Sequence, residues 1–303
     1  MNCLYSLRRI HGILHNFRMK LSERVWLSIH KINIMTSEET VEYIIDNHCS
    51  VSRYGDGELN LIFNNSFEIG FQSRNPELSK RLEEILCATD SSNILLSLPH
   101  HIISQDGLTP YAEKFWKQWV SNYYKFLYRL LYKKTNKVCF GDTNMTRPYI
   151  DYNDKSKSER LFNMLKEIWK GQQLLIVEGD KTRLGVGNDL FEGANEIQRI
   201  IAPSINAYDK YDSILDAVKN NYSGGIVLIA LGPTATVLAY DLSKQNIWAI
   251  DIGHIDIEYE WYLAKATDKI PIKGKAVNEV EGGYDCSVFE DEKYNSQIVE
   301  RII

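Results

Sequence analysis

The chain has 303 residues, of which 44% are hydrophobic, 25% charged and 11% aromatic. Those values exclude a mainly disordered chain, a collagen-like chain and a disulfide-dense miniature domain, and the length is ample for one large core. The net charge of −5 divides into about +5 for residues 1–35 (Arg8, Arg9, Arg18, Lys20, Arg24 and Lys31 against Glu23) and −10 for the remainder, a body that repels phosphate backbones and so excludes a general nucleic-acid binder.

The basic segment comes first. Residues 4–32 interleave Leu, Ile, Phe and Trp with Arg and Lys. That pattern fits an interfacial helix beside anionic lipid, and equally a solvated or partner-packing extension. It lacks the continuous apolar core and cleavage site of a signal peptide. From residue 36 to 303 the pattern predicts one α/β domain. A helix is expected over 37–47, capped by Ser37, with Glu38 and Glu39 in its first turn. A short strand over 50–53, a helix over 78–86 and a strand over 93–98 follow. Next come a long aromatic-rich helix over 111–134, a strand over 137–140 and a helix over 161–169. Buried strands are expected at 174–178, 226–231 and 247–252, with helices at 211–221 and 237–242 between them. Short apolar runs alternating with helices predict a Rossmann-like, mostly parallel sheet with flanking helices, preceded by an N-terminal helical extension over 1–35. The longest apolar run, 226–231, is far short of the ~20 residues that cross a bilayer. Five scattered cysteines without a CxxC pair predict reduced thiols in a cytoplasmic setting.

Four stretches carry candidate chemistry. In Arg53-Tyr-Gly-Asp-Gly-Glu58 two glycines flank Asp56 and free the backbone for a tight turn beside a ligand. Asp56 and Glu58 suit a metal, a sugar hydroxyl or a base role, and Arg53 suits a phosphate; a polar turn with an internal ion pair is the plain alternative. In Asp251-Ile-Gly-His254-Ile-Asp256-Ile-Glu258-Tyr-Glu260, the residues His254, Asp256, Glu258 and Glu260 fall to one side of a strand, or pair at i, i+4 on a helix. Their mutual repulsion calls for a cation, and the donor types suit Mg²⁺ or Mn²⁺. Acidic residues gathered at a helix N-terminus would explain Glu258 and Glu260 but not His254. The stretch from Glu178 to Asp189, with Arg183, Gly185, Gly187 and Asn188, follows a strand and suits a phosphate cradle, although neither Walker A nor GxGxxG is present. Gly232-Pro233-Thr234-Ala-Thr236 marks a second strand-to-helix corner of that kind, and Gly55 and Arg147 complete the set of expected cleft residues. Ligands of open α/β sheets bind outside the carboxyl ends of the strands, where both corners fall. The aromatic set from Phe115 to Tyr128 is expected to be helix core more often than a sugar-stacking platform.

Taken in order, RYGDGE, the TRPY stretch, VEGDKTRLGVGNDLF, ALGPTATVLAYDL and DIGHIDIEYEWY resemble the bacterial GT-D-type glycosyltransferases, over about residues 36–290. The resemblance implies a Rossmann-like fold, an Asp-x-Glu metal motif and metal-dependent transfer of a hexose. It implies glucose from a UDP-sugar donor, moved onto a glycan acceptor of a bacterial glycoprotein or surface polysaccharide; the basic segment, for its part, leaves open work in the cytoplasm at the inner face of the membrane. Two stretches match the motif, Asp56-Gly-Glu58 and Asp256-Ile-Glu258. The clustering argument gives the metal to His254, Asp256, Glu258 and Glu260, and catalysis to Asp56 and Glu58. A nucleotide-dependent hydrolase on the same sheet, or a non-catalytic nucleotide-sugar binding protein, are the competing readings.

Overall fold

The computed structural model describes residues 31–64, 66–88, 93–132, 139–283 and 291–302. The expected extension therefore lies, up to residue 30, outside the described residues. A compact unit runs from Ile34 to Ile303. No helix among the described residues is long and apolar enough to cross a membrane.

In chain order the elements are β1 (Asn33–Ile34), α1 (Ser37–Asn47), β2 (Ser50–Arg53), α2 (Asp56–Phe63), α3 (Pro76–Leu86) and β3 (Ile94–Leu98). Next come α4 (Pro110–Tyr132), β4 (Cys139–Asp142), α5 (Ser158–Trp169), β5 (Gln173–Gly179), β6 (Glu196–Ala202) and α6 (Tyr211–Asn221). The chain ends with β7 (Ile226–Ala230), α7 (Pro233–Ser243), β8 (Ala249–Asp251), α8 (Ile255–Leu263), α9 (Glu292–Ser296) and β9 (Ile298–Arg301).

Local chemistry sets the helix starts. Thr36, rather than Ser37, caps α1: its side chain accepts from the Glu39 N–H while the Glu39 carboxylate accepts from the Thr36 N–H. The turn expected after Arg53 is followed directly by a helix, and Glu58 reaches back to accept the Gly55 N–H at 2.7 Å. Asn75 caps α3 through two backbone N–H groups at 3.0 Å.

The strands form one nine-stranded sheet in the order β1-β4-β3-β2-β8-β7-β5-β6-β9, and every pairing from β4 to β9 is parallel. Alternation along β5 shows how the two faces are filled. Leu174 and Ile176 enter one core with Val41 and Ile44 of α1, Phe162 and Leu165 of α5, and Trp261 of α8. Leu175 and Val177 enter the other with Ile214 and Val218 of α6 and Leu238 of α7. Helices on both faces leave the strands buried on both sides, which is why they read as continuous apolar runs. From β2 the chain builds outward through β3 and β4 on one side, while β8, β7, β5 and β6 lie on the other. The crevice outside the carboxyl ends of β2 and β8 is therefore the topological switch point, where such sheets bind ligands.

Candidate active site

A cleft of about 510 Å³ opens at that switch point, a size that suits a small-molecule ligand. Its floor starts from register. Val51 of β2 pairs with Ile250 of β8, so Arg53 and Asp251 emerge side by side. The Arg53 Nε donates to Asp251 Oδ1 at 3.3 Å, and its Nη1 donates to the Thr143 carbonyl at 3.1 Å and to the Thr146 hydroxyl. The guanidinium thus ties the ends of β2 and β8 to the loop after β4. Gly253, at φ +44°, lets it pass: a Cβ there would stand 1.8 Å from Arg53 Nη2. Thr236 adds hydrogen bonds to the Arg53 carbonyl at 2.8 Å and to Asp251 Oδ2 at 3.3 Å.

Three carboxylates line the cleft beside this brace: Asp56, Glu58 and Asp251. Burial raises the pKa of each. For Glu58, burial and then the Asp251 charge push it up to about 7. Arg147 partly offsets the effect on Asp56, and Arg53 does so on Asp251.

The opposite wall joins the expected residues Arg147 and His254 to two that the sequence pattern did not single out, Lys269 and Glu279. Arg147 grips Glu279 with both Nη atoms, at 2.8 and 2.9 Å. Lys269 also bonds Glu279, and His254 Nε2 lies 3.7 Å from the same carboxylate. Burial works against the Glu279 charge, but Arg147, His254 and Lys269 together hold its carboxyl well below the usual range. Burial pushes His254 down to about 4, so near neutral pH its imidazole is uncharged.

The four residues assigned to a metal do not converge. His254 stands at the N-cap of α8, and the other three fan out around the helix. Glu258 is fully buried, accepts the Tyr149 and Ile150 N–H groups at 3.0 Å, and lies 3.6 Å from Arg147 Nε. Asp256 and Glu260 do pair at i, i+4, but the cation between them is Lys275, with Nζ 2.7 Å from each carboxylate and only 4% of its side chain exposed. Asn188 donates to both, and the Gly185 N–H donates to Asp256. Lys275 and Asn188 already occupy Asp256 and Glu260, and Glu258, whose Oε1 alone lacks a hydrogen bond, faces Arg147 and not the other three, so the set does not fit a divalent ion as placed. Among the described residues, no three His, Cys, Asp or Glu side chains form a group that holds one.

The glycine corners divide in the same way. Gly232 lines the cleft, with Gly179, Thr182 and Ser204 nearby; its φ of +54° and the Phe71 ring 2.3 Å from a hypothetical Cβ require glycine. Pro233, Thr234 and Thr236 form the buried first turn of α7 behind it. Glu178 is fully buried, ion-paired to Arg199 at 2.7 Å and accepting the Leu184 N–H at 2.6 Å, which shapes the following loop from within. In that loop Arg183 donates to the Gly274 carbonyl. Asp189 turns away to Lys166 and the Tyr259 hydroxyl, and neither it, Gly187 nor Asn188 lines the cleft. The structure therefore brings Arg53, Gly55, Asp56, Glu58, Arg147, Gly232, His254 and Asp256 to one cleft and adds Asp251, Lys269 and Glu279.

The sequence profile of the family described as "Glycosyltransferase GT-D fold" matches residues 51–280, which hold all of these groups. The chain belongs to the GT-D family. Two relatives are each 38% identical over 272 residues, 90% of this chain: the "Probable glycosyl transferase Gly" of Streptococcus gordonii and the "Glycosyltransferase GlyD" of Streptococcus pneumoniae serotype 4. The chain spans 39% and 33% of their respective lengths. A solved structure described as the highly conserved domain of unknown function 1792 with a distinct glycosyltransferase fold superposes with a TM-score of 0.83 at 40% identity, covering 90% of this chain and 97% of that one. A glycosyltransferase of the same domain type from Streptococcus sanguinis gives 0.82 at 37% identity, covering 90% and 100%.

Proposed function

We propose that the protein transfers a hexose from a UDP-sugar to a hydroxyl of a glycan acceptor. The observation that carries this reading is the cleft itself. It holds glycine-lined strand ends at β5 and β7, the carboxylates of Asp56, Glu58 and Asp251, and a wall where Arg147 and Lys269 share the Glu279 carboxylate. Family membership and the names of the relatives support the same class of reaction.

The donor diphosphate belongs at Gly232, where the N-terminus of α7 presents backbone N–H groups, with the charges of Arg147 and Lys269 facing it. In the transfer, the bond between the anomeric carbon and the diphosphate oxygen breaks, and the leaving UDP keeps the electron pair. The acceptor oxygen bonds to the anomeric carbon, and its proton passes to Asp56. Burial lifts the Asp56 carboxyl above its ordinary range, which suits a base. Glu279, locked by Arg147, holds that guanidinium in place, and Arg53 fixes Asp251. If a divalent cation takes part, Glu58 and the neighbouring Asp251, rather than the 254–260 run, would hold it. There it would offset the charge on the leaving diphosphate. Calorimetric titration tests the donor site: UDP-glucose binds the wild type, and Arg147→Met weakens it by tenfold or more. Equal affinity in the two proteins would refute the assignment.

A further inference from the structure

One end of the cleft has no role in holding the donor. It lies beyond the carboxylates, outside the carboxyl ends of β3 and β4. Its wall is the first turn of α4, where Tyr111 and Phe115 stand one turn apart on the same face. Both line the cleft, yet Tyr111 is 77% and Phe115 40% exposed; of the other aromatics of the helix, Trp116, Trp119 and Tyr124 are buried, and the exposed Phe126 and Tyr132 do not line the cleft. Below them the support is rigid. Trp116 meets the Phe115 ring edge-on at 5.4 Å and is itself packed against His101, which bonds the Tyr152 hydroxyl at 3.0 Å. Across this end lies Asn144, 4% exposed, also lining the cleft, with a buried side-chain oxygen that has no partner within the protein. Buried polar atoms are seldom left unpaired, so this one marks where a ligand hydroxyl fits.

We propose that Tyr111 and Phe115 form the acceptor subsite, on which the apolar face of the acceptor's terminal sugar stacks while Asn144 accepts a hydrogen bond from one of its hydroxyls. The inference rests on the donor reading above and deepens it. A sugar ring presents C–H groups on one face and hydroxyls at its edge. A wall of aromatic faces opposite an unpaired amide oxygen complements both. Sheet order agrees: Asn144 follows β4, the carboxylates follow β2 and β8, and Gly232 follows β7, so the carboxylates fall between this end and the glycine corner. A nucleobase is the other flat ligand such a wall would take. The distance in chain and sheet order from the diphosphate corner at β5 and β7 argues for the sugar.

The test uses the full chain, UDP, and three probes: methyl β-glucoside, methyl β-galactoside and methyl β-N-acetylglucosaminide. Saturation-transfer NMR with UDP present reads probe affinity, and calorimetry reads UDP affinity. Tyr111→Ala and Phe115→Ala are surface truncations that leave the buried aromatics in place. We expect at least one methyl glycoside to bind the wild type, and each variant to weaken it about three- to tenfold, the range of an aromatic contact. UDP affinity should change by less than twofold. Unchanged glycoside binding in both variants, or no glycoside binding to the wild type, overturns the subsite. A loss of UDP affinity with glycoside binding unaltered assigns the wall to the nucleobase and overturns it too. Absence of UDP binding by the wild type refutes the donor reading instead, and separates that failure from this one.

Discussion

Replacing Lys275 by Met tests whether an internal ammonium, and not a bound ion, balances the acidic pair on α8. The side chain of Lys275 is 4% exposed, that of Asp256 2% and that of Glu260 20%, with both contacts at 2.7 Å. Removing one member of a buried pair costs about 3–5 kcal/mol, because the remaining charge is left without a partner. Asp256 keeps two N–H donors, Gly185 at 3.0 Å and Asn188 at 2.8 Å, and Glu260 reaches some solvent. The expected cost therefore falls at the lower end, about 3 kcal/mol. Adding Asp256→Asn removes the stranded charge and should restore at least half of that loss. Urea unfolding at neutral pH measures both. A cost below about 1 kcal/mol for Lys275→Met, or a double variant no more stable than the single one, would refute the reasoning.

Three further outcomes follow from the geometry. Gly253→Ala should lose about 2 kcal/mol or more, from its left-handed backbone and the clash with Arg53, and should weaken donor binding. Gly171→Ala, at φ +73° with nothing within 4 Å, should lose only the backbone share of about 1 kcal/mol, as unfolding midpoints will tell. Burial pushes His101 down to about 3, against an ordinary 6.5. As pH falls below 6.5 the unfolded chain therefore binds a proton that the native state refuses, and stability drops by up to about 1.4 kcal/mol per unit. His101→Phe should flatten that acid limb in urea titrations at pH 7.5, 5.5 and 4.5; parallel profiles would count against it. Finally, if Glu58 and Asp251 hold a divalent cation, EDTA should weaken UDP-glucose binding and Mn²⁺ restore it. Glu58→Gln should abolish that metal response, and a response that persists in the variant would move the ion elsewhere.

The sheet was largely legible because its strands are covered on both faces: Leu174–Val177 and Ile226–Ile229 are uninterrupted apolar runs in the sequence and fully paired in the structure. The strand Glu196–Ala202 escaped notice because its middle carries Gln198 and Arg199, and Arg199 enters the interior only to meet Glu178. The site was half legible. Arg53, Asp56 and Glu58 announce themselves through the flanking glycines. The run from His254 to Glu260 shows four potential ligands, but spacing alone does not reveal which way a helix turns them. The partners that claim them, Lys275 and Glu279, come from a segment without periodic pattern. The aromatic helix hid a distinction of the same kind: Trp116 is core and Tyr111 is not, although both read as aromatic positions of one helix.

The central claim is a transfer reaction centred on Asp56. Its most direct test is UDP release from UDP-glucose and UDP-galactose, with and without a methyl glycoside acceptor, by the wild type and by Asp56→Asn. The account predicts acceptor-stimulated release by the wild type, and a rate at least a hundredfold lower in the variant, the usual scale of a lost general base. No release from either UDP-sugar, or an Asp56→Asn rate equal to wild type, would contradict it.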